Sequence, residues 1–265
     1  MSQLLQRAYY QATAREFIAS DPHAILGQLV NAHGFATDNL QRAAWQHQIL
    51  SLKPVVVGLS EATVLFEFSI PRMGKRADVI LLHRGLVFVI EYKVGEQDYP
   101  QYAQDQALDY ATDLKNFHEG SHHRRIIPVL VSTKASTFGI SDEWFDDDVS
   151  NVQRVNDHSL ADVISQFARL YGSDEKDNRE WIETSYKPTP TICEAAQALY
   201  AGHDVRDISR SDAGAINLTK TANCISQIIN RAKRSNEKSI CFITGVPGSG
   251  KTLAGLNLAN LELNS

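Results

Sequence analysis

The chain has 265 residues, 43% of them hydrophobic and 22% charged, with a formal net charge of −5. That is enough apolar material for sizeable cores over roughly two domains, and no apolar run approaches the ~20 residues that span a bilayer as a helix. A net negative charge argues against coating nucleic acid with a basic surface, but not against a nucleic-acid enzyme, whose local patches and bound cations supply the positive field.

The first residues lack the basic-then-apolar order of a signal peptide. Residues 3–19 read as a helix, which Asp21-Pro22 breaks. Helices follow at about 24–33 and 39–51, the latter with Leu40, Ala44, Ile49 and Leu50 near one face and Trp45 beside it. Four short runs rich in Val, Ile, Leu and Phe, at 55–59, 63–70, 76–83 and 86–93, read as strands, the last two joined by a turn at 83–85. Helical spacing returns at 100–118, a fully buried strand is expected at 126–132, and a helix at 159–171. This order predicts an α/β domain over 1–172, a polar, proline-bearing linker over 173–190 and a second domain over 191–265. In the second domain the pattern predicts helices at about 191–201 and 217–234, a strand at 240–244 and a helix from Lys251.

Charge divides along the same line. Residues 216–265 hold six Lys or Arg against two acids, +4, so the first 215 residues carry −9. The cysteines (Cys193, Cys224, Cys241) are too few and too scattered for a disulfide framework or a zinc site, and a cytoplasmic chain with reduced thiols is expected.

The first chemical signal lies at 76–93. Asp78 opens one strand, and Glu91 and Lys93, two apart near the end of the next, leave one face of it. Each interrupts an apolar strand, where a carboxylate is costly unless it is paired or binds a cation. Two carboxylates beside a lysine suit metal-assisted phosphodiester hydrolysis: hard oxygen ligands for Mg²⁺ or Mn²⁺, and an ammonium to orient water or balance charge. The basic run 122–125 reads as a solvated loop or a phosphate contact, and Asp146-Asp147-Asp148 as a solvated acidic loop.

Asp78…Glu91-Tyr92-Lys93 resembles the signature of the PD-(D/E)XK nuclease superfamily, whose core is helix–strand–strand–strand–helix–strand. Gln106…Tyr110 on the next helix resembles the QxxxY element of its RecB-like branch. The resemblance implies a restriction-endonuclease-like mixed sheet flanked by helices and a nuclease with Asp78 and Glu91 as metal ligands. It also implies that Lys93 assists the attacking water and that Gln106 and Tyr110 reach the substrate backbone. The superfamily often adds a Glu from its first helix; this chain has none near Trp45, and Glu61 or Glu67 are the substitutes at hand.

The second signal is a complete GxxxxGK[ST]: Gly245, Val246, Pro247, Gly248, Ser249, Gly250, Lys251 and Thr252. A strand before it and a helix after it make the context of a phosphate loop, with Lys251 on the β/γ-phosphates of ATP and Thr252 on its Mg²⁺. With Asn217-Leu-Thr-Lys-Thr and the flanking runs at 186–196 and 207–213, it resembles the start of Schlafen-group-3-like DNA/RNA helicase domains, many of which carry an N-terminal nuclease-like domain. The expectation is therefore a nuclease domain followed by an incomplete RecA-like P-loop segment, since Ser265 follows Lys251 by 14 residues. The expected partners are nucleic acid, DNA ahead of RNA, and ATP, with no membrane, and a role in defence against foreign nucleic acid fits families that fuse these parts. A motor with a merely gripping nuclease-like domain and a non-catalytic fragment are the rival readings.

Overall fold

In a computed structural model, the described residues are 7–34, 38–59, 61–71, 74–173, 177–186, 212–244 and the short pieces 251–252, 254–255 and 258–259. They belong to two compact units, 1–186 and 187–265.

The first unit is α/β. Its six-stranded sheet runs in sequence order: β1 (Tyr10–Thr13), β2 (Thr63–Ile70), β3 (Lys75–His83), β4 (Leu86–Lys93), β5 (Ile126–Ser132) and β6 (Gln153–Val155). β1 to β4 pair antiparallel; β5 joins β4, and β6 joins β5, in parallel. Helices cover both faces. On one, α1 (Ala14–Ala19), α2 (Pro22–His33), α3 (Asn39–Val55) and α5 (Leu160–Tyr171) pack through Phe17, Leu29, Trp45, Ile49 and Phe167. On the other, α4 (Gln101–Phe117) and α6 (Asn178–Glu183) pack through Tyr110, Leu114 and Trp181. β5 is buried at all seven positions, which is why it reads as a continuous apolar run. The β3–β4 turn has positive φ at both Arg84 (48°) and Gly85 (75°), the backbone that a two-residue hairpin demands.

The expected mixed sheet between helices is present, with several departures. The helix expected at 3–19 gives way at Tyr10–Thr13 to β1, whose alternating burial fits an edge strand; the helix itself starts at Ala14, where Thr13 and Glu16 form a capping box. No strand forms at 55–59: Val55 completes α3, the Val56 N–H caps it on the Leu52 carbonyl, and Gly58 turns the chain at φ 89°. The buried face of α3 is Trp45, Gln48, Ile49, Leu52 and Val55, a clean i, i+3, i+4, i+7 stripe, while Leu40 and Leu50 face outward. The three-residue β6 was not foreseen.

The linker expected at 173–190 is replaced, over 178–186, by α6 and its tail. Trp181 is fully buried and donates to Ser121 Oγ at 2.8 Å, and Tyr186 bridges to His118, so the first unit extends past 172 to 186.

In the second unit α7 (Asp212–Ser235) covers the helix expected at 217–234. Residues 240–244 form no strand; Ile240 and Phe242 are exposed, and no neighbouring strand is present among the described residues of that unit. The helix expected at 191–201 lies outside the described residues. No helix among the described residues is long and apolar enough to cross a membrane.

Candidate active site

The hairpin β3–β4 positions the first group. Its backbone ladder is regular from His83↔Leu86 to Val79↔Ile90. One step further, side chains take over. The Asp78 N–H donates to Glu91 Oε1 at 3.1 Å, and the Tyr92 N–H donates to Asp78 Oδ2 at 2.8 Å. Each carboxylate thus accepts from the backbone of the opposite strand, where ladder carbonyls would otherwise serve.

The in–out alternation breaks at the same point. On β2, Phe66 faces the α3 side and Phe68 the α4 side; on β3, Val79 faces the α3 side and Ala77 the α4 side. Residues two apart on a regular strand share a face. The residues between, Glu67 and Asp78, therefore carry the kink, and they lie opposite one another between the pairs Phe66↔Val79 and Phe68↔Ala77. Glu67 has φ 54°, left-handed for a non-glycine residue. Such a conformation costs about 1–3 kcal/mol and persists only where its surroundings hold it. Arg76 holds it by donating to the Glu67 carbonyl at 2.5 Å, and Trp45 Nε1 by donating to Glu67 Oε1 at 2.7 Å.

Helix α4 supplies the second group. Gln106 Nε2 donates to Glu91 Oε2 at 2.9 Å and to the Tyr110 hydroxyl at 3.1 Å, while Gln106 Oε1 accepts from Lys93 Nζ at 3.0 Å. Lys93 Nζ stands 4.0 Å from Glu91 Oε2. The four-residue spacing puts Gln106 and Tyr110 on one face of α4, and the same-face spacing of Glu91 and Lys93 presents both to it. The structure therefore brings Asp78, Glu91, Lys93, Gln106 and Tyr110 into one connected network.

Burial pushes the Asp78 carboxyl up to about 7, with the Glu67 charge adding to the rise and Lys93 opposing it. Glu91, 1% exposed, is raised well above the ordinary glutamate range by burial and then by Asp78. Glu67 is raised by burial, against the Trp45 hydrogen bond. The Tyr110 hydroxyl is raised to about 12 by burial and by Glu91, so it stays protonated while accepting from Gln106 Nε2. Asp78 and Glu91 thus share the Lys93 charge, while the cation that acts on Glu67 is Arg76.

Among the described residues no three His, Cys, Asp or Glu side chains gather closely enough to hold a metal ion between them. The donor set still suits Mg²⁺ or Mn²⁺, since Mg²⁺ is ordinarily held by one or two carboxylates while waters and substrate phosphate fill its other positions. The mutual repulsion of Asp78 and Glu91 is an imbalance that a divalent cation would offset.

Sequence reasoning left Glu67 as a bare alternative and did not give Trp45 a role. The available signal was a lone acid in the apolar run 63–70, the same interruption that drew attention to Asp78. The basic run 122–125 serves the fold. Arg124 is buried and donates to the Asp177 carbonyl at 2.6 Å, and the Arg125 guanidinium lies 4.5 Å from the Tyr171 ring centroid and 5.1 Å from that of Trp144.

Of the expected phosphate loop, Gly245, Val246, Pro247, Gly248, Ser249 and Gly250 lie outside the described residues, while Lys251 and Thr252 are helical. Comparison with family models, curated proteins and solved structures finds no match for this chain.

Proposed function

We propose that the first unit is a divalent-cation-dependent nuclease of the PD-(D/E)XK type that hydrolyses phosphodiester bonds in nucleic acid. The observation that carries this reading is the hydrogen-bonded chain Lys93–Gln106–Glu91, joined crosswise to Asp78. A lysine and two carboxylates are otherwise poor choices for one end of an apolar hairpin.

Asp78 and Glu91 would hold the cation, which supplies Lewis-acid polarisation of the phosphate and acidifies a bound water. Lys93 directs an ammonium to the same point, where it orients the attacking water and offsets charge developing on the phosphoryl oxygens. Gln106 fixes the Lys93 and Glu91 side chains relative to each other, and the Tyr110 hydroxyl in turn orients the Gln106 amide. Glu67, pinned by Trp45, adds negative charge beside Asp78 and strengthens the site's demand for a cation.

The test is cleavage of single- and double-stranded DNA and RNA with Mg²⁺ or Mn²⁺, with chelator, and with Lys93→Ala. Cation-dependent cleavage lost in the variant supports the reading. Binding without cleavage would leave a nucleic-acid grip.

For the second unit we infer ATP binding through Gly245 to Thr252, in a segment akin to the start of a RecA-like helicase ATPase. Helical backbone at Lys251 and Thr252 supports this, because the helix after a phosphate loop begins there.

A further inference from the structure

The loops after β4 and β5 carry an aromatic ring that the hydrolytic network does not use. The two strands are parallel, so both loops leave the sheet at the end where Lys93 stands opposite Ser132. They are laced together: the Thr133 N–H donates to the Lys93 carbonyl at 3.3 Å, the Gly95 N–H to Thr133 Oγ1 at 2.8 Å, and the Lys134 N–H to the Glu96 carbonyl at 2.9 Å. The Tyr99 hydroxyl donates to the Ser136 carbonyl at 2.9 Å. From the other side, Asn156 Nδ2 donates to the Ala135 carbonyl at 2.9 Å and to Thr137 Oγ1 at 3.4 Å.

Next in this pinned loop comes Phe138, 48% exposed. The Arg154 guanidinium sits 3.7 Å from its ring centroid, and Tyr99 meets it at 81° with centroids 6.0 Å apart. A single exposed phenylalanine is ordinary. This one differs in that its loop is fastened from both sides and its ring already carries a guanidinium. Tyr102, 63% exposed, stands in the first turn of α4, the helix that also carries Gln106.

We propose that Phe138, backed by Arg154, is a stacking platform for an unpaired base, so that the substrate at this site is single-stranded nucleic acid; this rests on the nuclease reading above. Every base has a π face, so stacking on an aromatic ring tolerates any sequence, and a neighbouring cation meets the adjoining phosphate. Bases within a duplex are already paired and stacked, and offer no such face without extrusion. DNA and RNA share the chemistry; the sugar is left to the test.

The experiment uses the full chain carrying Lys93→Ala, so that binding is read without cleavage. The probes are single-stranded DNA, single-stranded RNA and duplex DNA oligonucleotides with one 2-aminopurine, whose fluorescence falls on stacking. The expected result is quenching with a single strand, the polymer that quenches naming the sugar. Adding Phe138→Ala should abolish the quench and weaken single-strand affinity about tenfold, Phe138→Trp should keep both, and duplex affinity should not move. In the otherwise unaltered chain, Phe138→Ala should raise KM for single strands with kcat held. Absence of quenching with either polymer, single-strand affinity unchanged by Phe138→Ala, or an equal loss for duplex, would overturn the platform while cleavage by the unaltered chain stands. A chain that neither binds nor cleaves any of the polymers would overturn the nuclease reading itself.

Discussion

Asp78 and Glu91 hold their strands together with carboxylates in place of ladder carbonyls: the Asp78 N–H donates to Glu91 Oε1, and Asp78 Oδ2 accepts from the Tyr92 N–H beside Glu91. Negative charge is thereby fixed where the hairpin opens, and nearby Glu67 raises the pKa of both carboxyls further. The arrangement trades stability for charge, and the trade has a measurable pH signature.

The folded-state pKa of Asp78, about 7, lies above its unfolded value of 3.8. Between those values the native state binds more protons than the unfolded chain, so stability falls as pH rises. The contribution is fully present below about pH 4 and is lost on passing about 7. Asp78→Asn keeps a carbonyl oxygen for the Tyr92 N–H and carries no charge. Thermal melts should therefore show Asp78→Asn more stable than the parent at pH 8, with the gap closing toward pH 4. Mg²⁺ should raise the parent Tm at pH 8 and leave Asp78→Asn nearly unmoved. A gap that does not depend on pH would mean that Asp78 is not held at that cost.

Lys93→Ala should lower cleavage by about 10²–10³-fold, the scale of removing one charge-stabilising donor, with the far-ultraviolet circular dichroism spectrum unchanged. Lys93 sits at the end of β4 and is partly exposed, so its loss leaves the core intact. Equal kcat/KM for parent and variant would remove Lys93 from the chemistry.

Glu67→Gln tests the charge behind Asp78. The amide keeps an oxygen for Trp45 Nε1 and removes the repulsion that raises Asp78 and Glu91. Both carboxyls should then ionise at lower pH, so the acid limb of the pH–rate profile should move to lower pH. A limb that stays in place would show that Glu67 does not act on the pair. Trp45→Phe strips the hydrogen bond that holds the Glu67 pKa down, so Glu67 keeps its proton to higher pH and the limb should move the same way, by less.

Much of this was legible in the residues. The hairpin 76–93 declared itself because apolar β-branched runs were interrupted by three charged residues at strand spacing, and 106/110 because helical spacing followed directly. What stayed hidden was non-local. Residues 10–13 are a strand only because β2 offers an edge to pair with, and Trp181 belongs to the core only because His118 and Phe68 form its walls, with ring centroids at 4.2 and 5.2 Å. A polar run with two prolines carries no local sign that its one tryptophan is buried. Glu67 was hidden for a backbone reason: its face is set by a left-handed φ, which strand periodicity does not encode.

Lys251→Ala should abolish ATP binding, read by calorimetry, if the segment 245–252 cradles phosphates. The proposed nuclease activity on short oligonucleotides should be unchanged, since the five residues of the network proposed to carry it all lie before residue 187. ATP binding that survives the substitution would separate the glycine-rich motif from nucleotide recognition.

The last expectation concerns where the first unit ends. A boundary at 172 would discard Trp181, whose indole is fully buried, donates to Ser121 and stacks on His118. It would also discard Thr184, whose hydroxyl meets the Gly120 N–H at 3.1 Å and whose carbonyl accepts from Arg7. His118 is pushed down to about 3 by burial and by Arg7, so it folds neutral, and its contribution is complete above 6.5 and lost as pH falls from there toward 3. Residues 1–186 should fold and cleave on their own, whereas 1–172 should be strongly destabilised. Trp181→Ala within 1–186 should cost about 3–5 kcal/mol, the range for emptying a large aromatic site. The imidazole of that variant, followed by NMR, should titrate closer to 6.5 because water reaches it. Limited proteolysis of the full chain should leave a core ending near 186. A stable, active 1–172 fragment would show that α6 only decorates the sheet.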